Sequence, residues 1–562
     1  MTEVIRNTTS ICPECLQQIP AEIYVDDNTK WVMMRKECKT HGEFKDKLSI
    51  NKEDYVWGQN FCNDVGSTLT STKPSFVSSG IKEGRNGCPY DCGICENHKS
   101  APCIALIDVT NRCNLVCPIC FANANAAGYI VEPTYDQIVQ IMEHFRSMRP
   151  VPPVLLQLSG GEPTMRDDIF DIIRKGHELG FTEVMLTTNG VKLGKSVEYC
   201  RKLKQAKCDA VYLQFDGCTP ETYKKIRGVN LWPLKQKVIE NCREVGLKGV
   251  MLVPTVCKGM NDHEIGNIMN YAKENTDIVA GVVFQPVSLC GRISYEELMD
   301  MRYTTSDLKV ALNECTGGAI TYFYPIATTG KFTRLLAWFD DMPQFSMLSH
   351  QDCGFATIVP LNEHGEWEPI EKYFDVEGLI RWANKVWDMV ESKEMPKPTN
   401  MFGNFDIKNL GKIGNVIGDF IDGMADAAYR NLMRAYFFAG LVRYVKNPEK
   451  IFSSKTLQKF ASLVFKPGLQ AAGAFLQSKN LMISAMHFQD AYNFDLERVS
   501  RCLVHYGVID PSDPSKVLEI PFCAHNTIHR PHIEEQLAKG ALDKTPQEVQ
   551  AEIERLVKAV QK

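Results

Sequence analysis

The chain has 562 residues, 44% of them hydrophobic and 23% charged, with a net charge of −5. This composition can bury full cores, excludes wholesale disorder and offers no basic balance for nucleic acid. A membrane span needs about 20 consecutive apolar residues. The longest comparable stretch, Ala435 to Val442, is far shorter, and the N-terminus has no apolar signal core, so the expected location is cytoplasmic.

At about 150 residues per domain, the length suggests three to four domains. There are 21 cysteines; in a chain without a secretion signal the clustered ones read as metal or iron–sulfur ligands rather than disulfides, and the single Cys200, Cys208, Cys218 and Cys242 as ordinary core thiols. Residues 1–75 are expected to form a metal ribbon. Cys12-Pro13-Glu14-Cys15 pairs there with Cys38-Lys39-Thr40-His41, and two short ligand pairs hold one tetrahedral ion. Mononuclear iron or zinc fits. Either His41 or Cys62 completes the set, and sulfur-only ligation would favour iron. Residues 76–103 carry Cys88, Cys92 and Cys95 in a CxxxCxxC pattern. An auxiliary [4Fe–4S] cluster is expected, with zinc as the alternative. Its fourth ligand could be Cys103, a distant cysteine or an exogenous atom.

From Ile104 the pattern changes. Apolar runs at 104–109, 154–158, 183–187, 210–215, 249–255 and 280–285 alternate with helical stretches at 136–148, 167–179, 195–205, 233–245 and 263–273. Such alternation predicts βα units on a parallel sheet. The expected fold over 104–290 is α/β, a partial (β/α)6 barrel, with a doubly wound open sheet as the alternative. Residues 291–400 read as a barrel extension. Residues 401–562 read as a mainly helical C-terminal region whose 401–480 segment mixes phenylalanines with Lys408, Lys412, Arg430, Arg434, Arg443 and Lys446. An amphipathic basic segment can lie on an anionic membrane surface, and an ordinary helical core is the alternative.

In a parallel barrel, chemistry collects at the C-terminal ends of the strands. After the first run comes a second CxxxCxxC, Cys113, Cys117 and Cys120, followed by Phe121. Three thiolates fit three irons of a cube and leave the fourth open to a ligand with an amine and a carboxylate. The second run ends on Gly160-Gly161-Glu162-Pro163, the third on Asn189, the fourth on Gln214 and Asp216, and the fifth on Thr255. Each is weak alone; their ordered concurrence is the signal. Downstream, Cys353, Cys502 and Cys523 sit in glycine- or proline-punctuated contexts and are candidates for a third cluster, with Cys257, Cys290 and Cys315 not excluded by spacing.

Cys113, Cys117, Cys120, Phe121 and the GGEP stretch resemble the radical S-adenosylmethionine superfamily over roughly residues 104–290. The resemblance implies a [4Fe–4S] cluster whose open iron binds the methionine end of S-adenosylmethionine. It places Gly160 to Glu162 at the amine, Asn189, Gln214 and Asp216 near ribose and carboxylate, and Phe121 and Thr255 beside adenine. An unidentified electron donor is implied, and no nucleic acid partner. The ribbon, then GCPxDCGxC, then DVTNRCNxxCPICFANA look like the archaeal tetraether lipid synthase group. That narrower likeness implies coupling of terminal methyl carbons in isoprenoid ether phospholipids, with peripheral contact at the inner face of the cell membrane. A radical methyltransferase, or a peptide- or cofactor-modifying enzyme with auxiliary clusters, is the alternative.

Overall fold

The computed structural model describes residues 3–61, 77–78, 87–92, 98–125, 128–149, 151–288, 299–341, 348–362, 364–394, 426–446 and 480–560. Cys62, Cys95, the Cys92 thiol and the segments 401–425 and 447–479 lie outside the described residues. The chain divides into two units. One comprises Met1–Ile326, Leu348–Thr357 and Leu481–Lys562, the other Ala327–Met347 and Ile358–Asn480.

The first unit begins with an antiparallel sheet in chain order: β1 (Glu3–Ile11), β2 (Gln18–Val25), β3 (Val32–Cys38) and β4 (Gly42–Ser49). Ile23, Val32 and Met34 turn one face inward onto Tyr55 as a small core. Charges fasten this sheet to the rest of the unit. Arg302 is buried between Asp46 of β4, at 2.6 Å, and Asp490, at 2.8 Å. Arg6 of β1 reaches Asp495 at 2.6 Å.

Six further strands follow: β5 (Ile104–Thr110), β6 (Leu155–Gly160), β7 (Glu183–Thr188), β8 (Ala210–Gln214), β9 (Val250–Val253) and β10 (Val279–Pro286). They pair in sequence order and every pair is parallel. A doubly wound sheet reverses its strand order at a switch point; this one does not, which selects the partial barrel. The connecting helices are α1 (Tyr135–Ser147), α2 (Ile169–Glu178), α3 (Val197–Gln205), α4 (Pro220–Arg227), α5 (Trp232–Val245) and α6 (Ile265–Glu274). Helix α1 starts at a reciprocal capping box between Thr134 and Gln137, which satisfies two otherwise orphaned backbone donors.

The C-terminal region is helical at Asp426–Leu441, α7 (Arg530–Leu537) and α8 (Pro546–Val560). It also contributes strands that the sequence reading did not foresee. β11 (Asn480–Met486) adds in parallel to β10, β12 (Val504–Ile509) adds in parallel to β5, and β13 (Val517–Pro521) returns antiparallel on β12. The expected border at residue 401 is therefore displaced, since Leu481–Lys562 belongs to the barrel's unit.

In the second unit, helices Gly330–Phe339, Val376–Glu391 and Asp426–Leu441 pack around Leu335, Val386, Met433 and Phe437. Arg430 pairs with Asp341 at 2.6 Å and Arg434 with Asp340 at 2.7 Å. The described part of the basic aromatic segment thus forms an internal core with internal ion pairs. Among the described residues, no helix is long and apolar enough to cross a membrane.

Buried histidines weaken the fold in acid, and His529 is one whose contact can be tested. His529 is fully buried with Nε2 2.8 Å from the Pro89 carbonyl oxygen, and burial pushes its pKa from 6.5 down to about 4. Between those values the unfolded chain binds more protons than the folded one, so stability falls as pH drops. Thermal melts should fall through that window, with buried His98 and His487, both pushed down to about 3, adding to the same trend. The slope should be shallower in His529→Gln, which keeps a donor for Pro89; equal slopes would contradict this.

Candidate active site and metal centres

Two tight turns build the ribbon site. The β1–β2 turn closes with Leu16 N–H donating to the Cys12 carbonyl at 2.8 Å. The β3–β4 turn closes at Gly42, whose φ of +79° is one that glycine adopts without strain. Together they place Cys12, Cys15, Cys38 and His41 with ligand atoms all within 4.8 Å of one another. His41 Nδ1 is 3.5 Å from both Cys12 and Cys38 Sγ, so among the described residues His41 completes a four-ligand set. Backbone N–H groups, Thr40's first, pull the Cys38 thiol down to about 6, toward the thiolate a metal needs. Three sulfurs and an imidazole fit tetrahedral zinc.

The second centre sits where β5 ends. Cys113, Cys117 and Cys120 lie on the loop that follows, each partly buried. Asn125 pins that loop: its Nδ2 donates to the carbonyls of Cys113, at 2.7 Å, and Leu115, at 3.0 Å. Burial raises the Cys113 thiol well above its ordinary value, and Cys117 and Cys120 add to the rise. The three sulfurs therefore share one electrostatic environment. Among the described residues, the ribbon set alone meets the 4.8 Å grouping. Three soft donors on one short loop, with no fourth protein ligand in the motif, fit three irons of a four-iron cube.

Gly160 and Gly161 pack directly under this loop. Gly161 N–H donates to the Thr110 carbonyl at 2.7 Å and Glu162 N–H to the Arg112 carbonyl at 2.8 Å. Gly160 has a φ of +134°, and a Cβ there would overlap the Thr110 carbonyl oxygen. Gly160→Ala is thus expected to cost about 3 kcal/mol or more from strain and overpacking. Iron and sulfide analysis should show cluster loss with the ribbon metal kept; full iron would contradict it. Glu162 is fully buried. Its Oε1 accepts from Thr164 Oγ1 at 2.6 Å and Thr188 Oγ1 at 2.7 Å, and its Oε2 accepts from Asn189 N–H at 2.7 Å. It ties the ends of β6 and β7 together and keeps lone pairs on Oε2 for a further donor.

Beneath Cys117 lies a network in which Arg227 and Lys235, two residues that sequence reasoning missed, tie together Asp216, Gln214, Thr255 and Asn189. Arg227, at the end of α4, makes two bonds to Asp216, at 2.6 and 2.7 Å, and donates to the Ile119 carbonyl at 3.1 Å. Burial raises the Cys117 thiol to about 11, and Arg227 pulls the other way. Asp216 also accepts from Thr255 N–H at 3.2 Å and from Gln214 Nε2. Its oxygens are thus spent within the protein, whereas an open ribose or carboxylate contact was expected. Lys235 is buried, donates to Asn189 O at 2.6 Å and Gln214 Oε1 at 2.9 Å, and is pushed by burial down to about 7. Phe121, expected beside adenine with Thr255, stacks on Phe522 at 5.5 Å and packs on Phe488. It joins the C-terminal aromatic cluster, while Thr255 joins the Arg227 network.

Cys353, Cys502 and Cys523 come from three separate segments and influence one another. Burial raises Cys502 to about 12, with Cys523 and Cys353 adding. Burial raises Cys523 to about 11, and Arg498 opposes. Arg498 is buried beside Cys353 and Cys523, and Cys502 feels both of those thiols. Of the upstream motif, Cys88 is described and packs beside Tyr90 and Phe494. Cys103 is buried and raised to about 12, with the Glu183 carboxylate adding.

Residues 107–272 match the Radical SAM superfamily, and residues 4–50 match the HMPTM N-terminal zinc ribbon domain. A 7,8-dihydro-6-hydroxymethylpterin dimethyltransferase of Methanocaldococcus jannaschii is 40% identical over 535 residues, which span 95% of this chain and 96% of that protein. A GTP 3′,8-cyclase of Limosilactobacillus fermentum is 31% identical over 185 residues, 32% of this chain and 54% of the cyclase. Among solved structures, SuiB of Streptococcus suis bound to S-adenosylmethionine aligns over 39% of this chain and 45% of its own, at 19% identity and a TM-score of 0.30.

Proposed function

Since the chain belongs to the radical S-adenosylmethionine superfamily, and to the same family as its full-length relative, we propose that it forms carbon–carbon bonds at carbons bearing no acid, base or leaving group. The observation that carries this is the three-thiol loop at the end of β5, seated on Gly160, Gly161 and Glu162. A [4Fe–4S] cluster bound there with S-adenosylmethionine supplies a carbon radical able to take hydrogen from an unactivated C–H. The chain's own residues do the rest. Asn125 fixes the loop, and Arg227 offsets thiolate charge at Cys117. Leu115 packs with Ile553 and Val557 of α8, which covers the loop against water. Cys88, Cys92 and Cys95, and the Cys353, Cys502 and Cys523 triplet, are the ligands we assign to auxiliary clusters.

Relatedness over the whole chain supports methyl transfer to a reduced pterin. A second reading, coupling of isoprenoid chains of diether phospholipids at a membrane surface, rests on the motif order alone; the match of the ribbon to the HMPTM zinc ribbon and the whole-chain relative favour methyl transfer over it. Coupling two carbons removes one hydrogen from each, which calls for two S-adenosylmethionine molecules per bond and a group to hold the first radical. Product mass separates the readings. Iron-replete protein would be incubated anaerobically with S-adenosylmethionine, a strong reductant, and either 7,8-dihydro-6-hydroxymethylpterin or archaeal diether phospholipid. A heavier, methylated pterin supports methyl transfer. A lipid lighter only by the hydrogens lost supports coupling. Absence of 5′-deoxyadenosine under both conditions would contradict the shared proposal.

A further inference from the structure

A cleft is lined by Asp108 of β5, the strand that leads into the cysteine loop, and by Val131, Glu132, Tyr506 of β12, His525 and Glu534 of α7. Several observations mark it as built for a ligand. His525 is 3% exposed, yet its Nδ1 has no hydrogen-bond partner, and a buried polar atom in that state is one a ligand would satisfy. His525 opens a π-helical turn, His525–His529, a rare element found often at functional sites. Asp108 Oδ2 is 2.7 Å from Arg530 Nη1, while Oδ1 is buried without a hydrogen bond. Arg530 is held from behind by Glu534 at 2.9 Å and the Tyr506 hydroxyl at 3.1 Å. Glu132 binds Arg112 at 2.9 and 3.0 Å, which ties the cleft wall to the residue before Cys113.

The cleft presents three carboxylates, Asp108, Glu132 and Glu534, against one cation, Lys539, with an unused acceptor on Asp108 and mostly apolar walls. Such a lining disfavours a phosphate group and suits a flat neutral ring rich in N–H donors. We propose that this cleft binds the amino-pyrimidinone edge of the substrate heterocycle, with Asp108 accepting from its amino and ring N–H groups and His525 Nδ1 making a further hydrogen bond. The proposal rests on the methyl-transfer reading and names the surface that would hold that substrate.

Two probes separate the site from that reading: 7,8-dihydro-6-hydroxymethylpterin and the fragment 2-amino-4-hydroxypyrimidine. Both would be titrated into iron-replete wild type, Asp108→Asn and Val131→Trp, with pterin turnover followed in parallel. Val131→Trp fills the cleft without touching a charge, so it guards against misfolding of the first variant, and iron content checks folding in both. The expected result is saturable binding to wild type, weakened about tenfold or more in each variant, as loss of a hydrogen bond to a charged group implies. Pterin turnover with KM unchanged in both variants would overturn the site and leave methyl transfer standing. Fragment binding that depends on Asp108, without pterin turnover, would keep the site and overturn the reading. If neither probe binds wild type, or vesicles of diether phospholipid bind in their place, the proposal fails.

Discussion

The Cys117→Ala protein is expected to release no 5′-deoxyadenosine above background while keeping its ribbon metal. Losing an outer-sphere partner of a metal ligand already costs about 10–100-fold in affinity or activity; losing one of three thiolates should cost more than about 100-fold. The two centres are separable because the ribbon ligands come from the β1–β2 and β3–β4 turns and the cluster ligands from the loop after β5. Metal analysis and product quantification on the same preparation check this. Normal turnover in Cys117→Ala would remove that thiol from the chemistry. Arg227→Met is the informative companion, since it spares every thiol and removes the charge beside Cys117.

The second large effect concerns stability. Asp46→Ala leaves Arg302 buried with Asp490 as its remaining ion-pair partner. Breaking a buried charge pair costs about 3–5 kcal/mol, a large share of the stability of an ordinary domain. Denaturant unfolding of anaerobic protein should show that loss, and a change below about 1 kcal/mol would show that Asp46 is not load-sharing with Asp490. The same ion triad joins the ribbon sheet to the segment around Asp490, four residues from the end of β11, so the loss should spread beyond the ribbon.

What could be read from the sequence was local. The barrel strands were visible because both faces are buried, so their residues form near-continuous apolar runs. The ribbon pairs and the loop of Cys113, Cys117 and Cys120 were visible because their ligands lie within a few residues. What escaped depends on pairings across the fold. Arg227 ends Lys224-Lys225-Ile226-Arg227, which reads as a solvated basic turn; only the α4 geometry brings it to Asp216. Phe121 borders the cysteine motif, but its partners Phe488 and Phe522 arrive from the C-terminal strands and helix. Cys353, Cys502 and Cys523 could be named but not grouped, because three separate segments deliver them. β11 and β12 were missed because their runs are short and sit in a region dominated by helical spacing.

Nitrogen-15 labelling of the S-adenosylmethionine amine, followed by electron–nuclear double resonance on the reduced protein, tests the central claim most directly. The claim is that Cys113, Cys117 and Cys120 leave one iron open to that ligand. A nitrogen coupling to the cluster, present in wild type and absent in Cys117→Ala, is the predicted result. A reduced, iron-replete wild type with no coupling and no 5′-deoxyadenosine would contradict it.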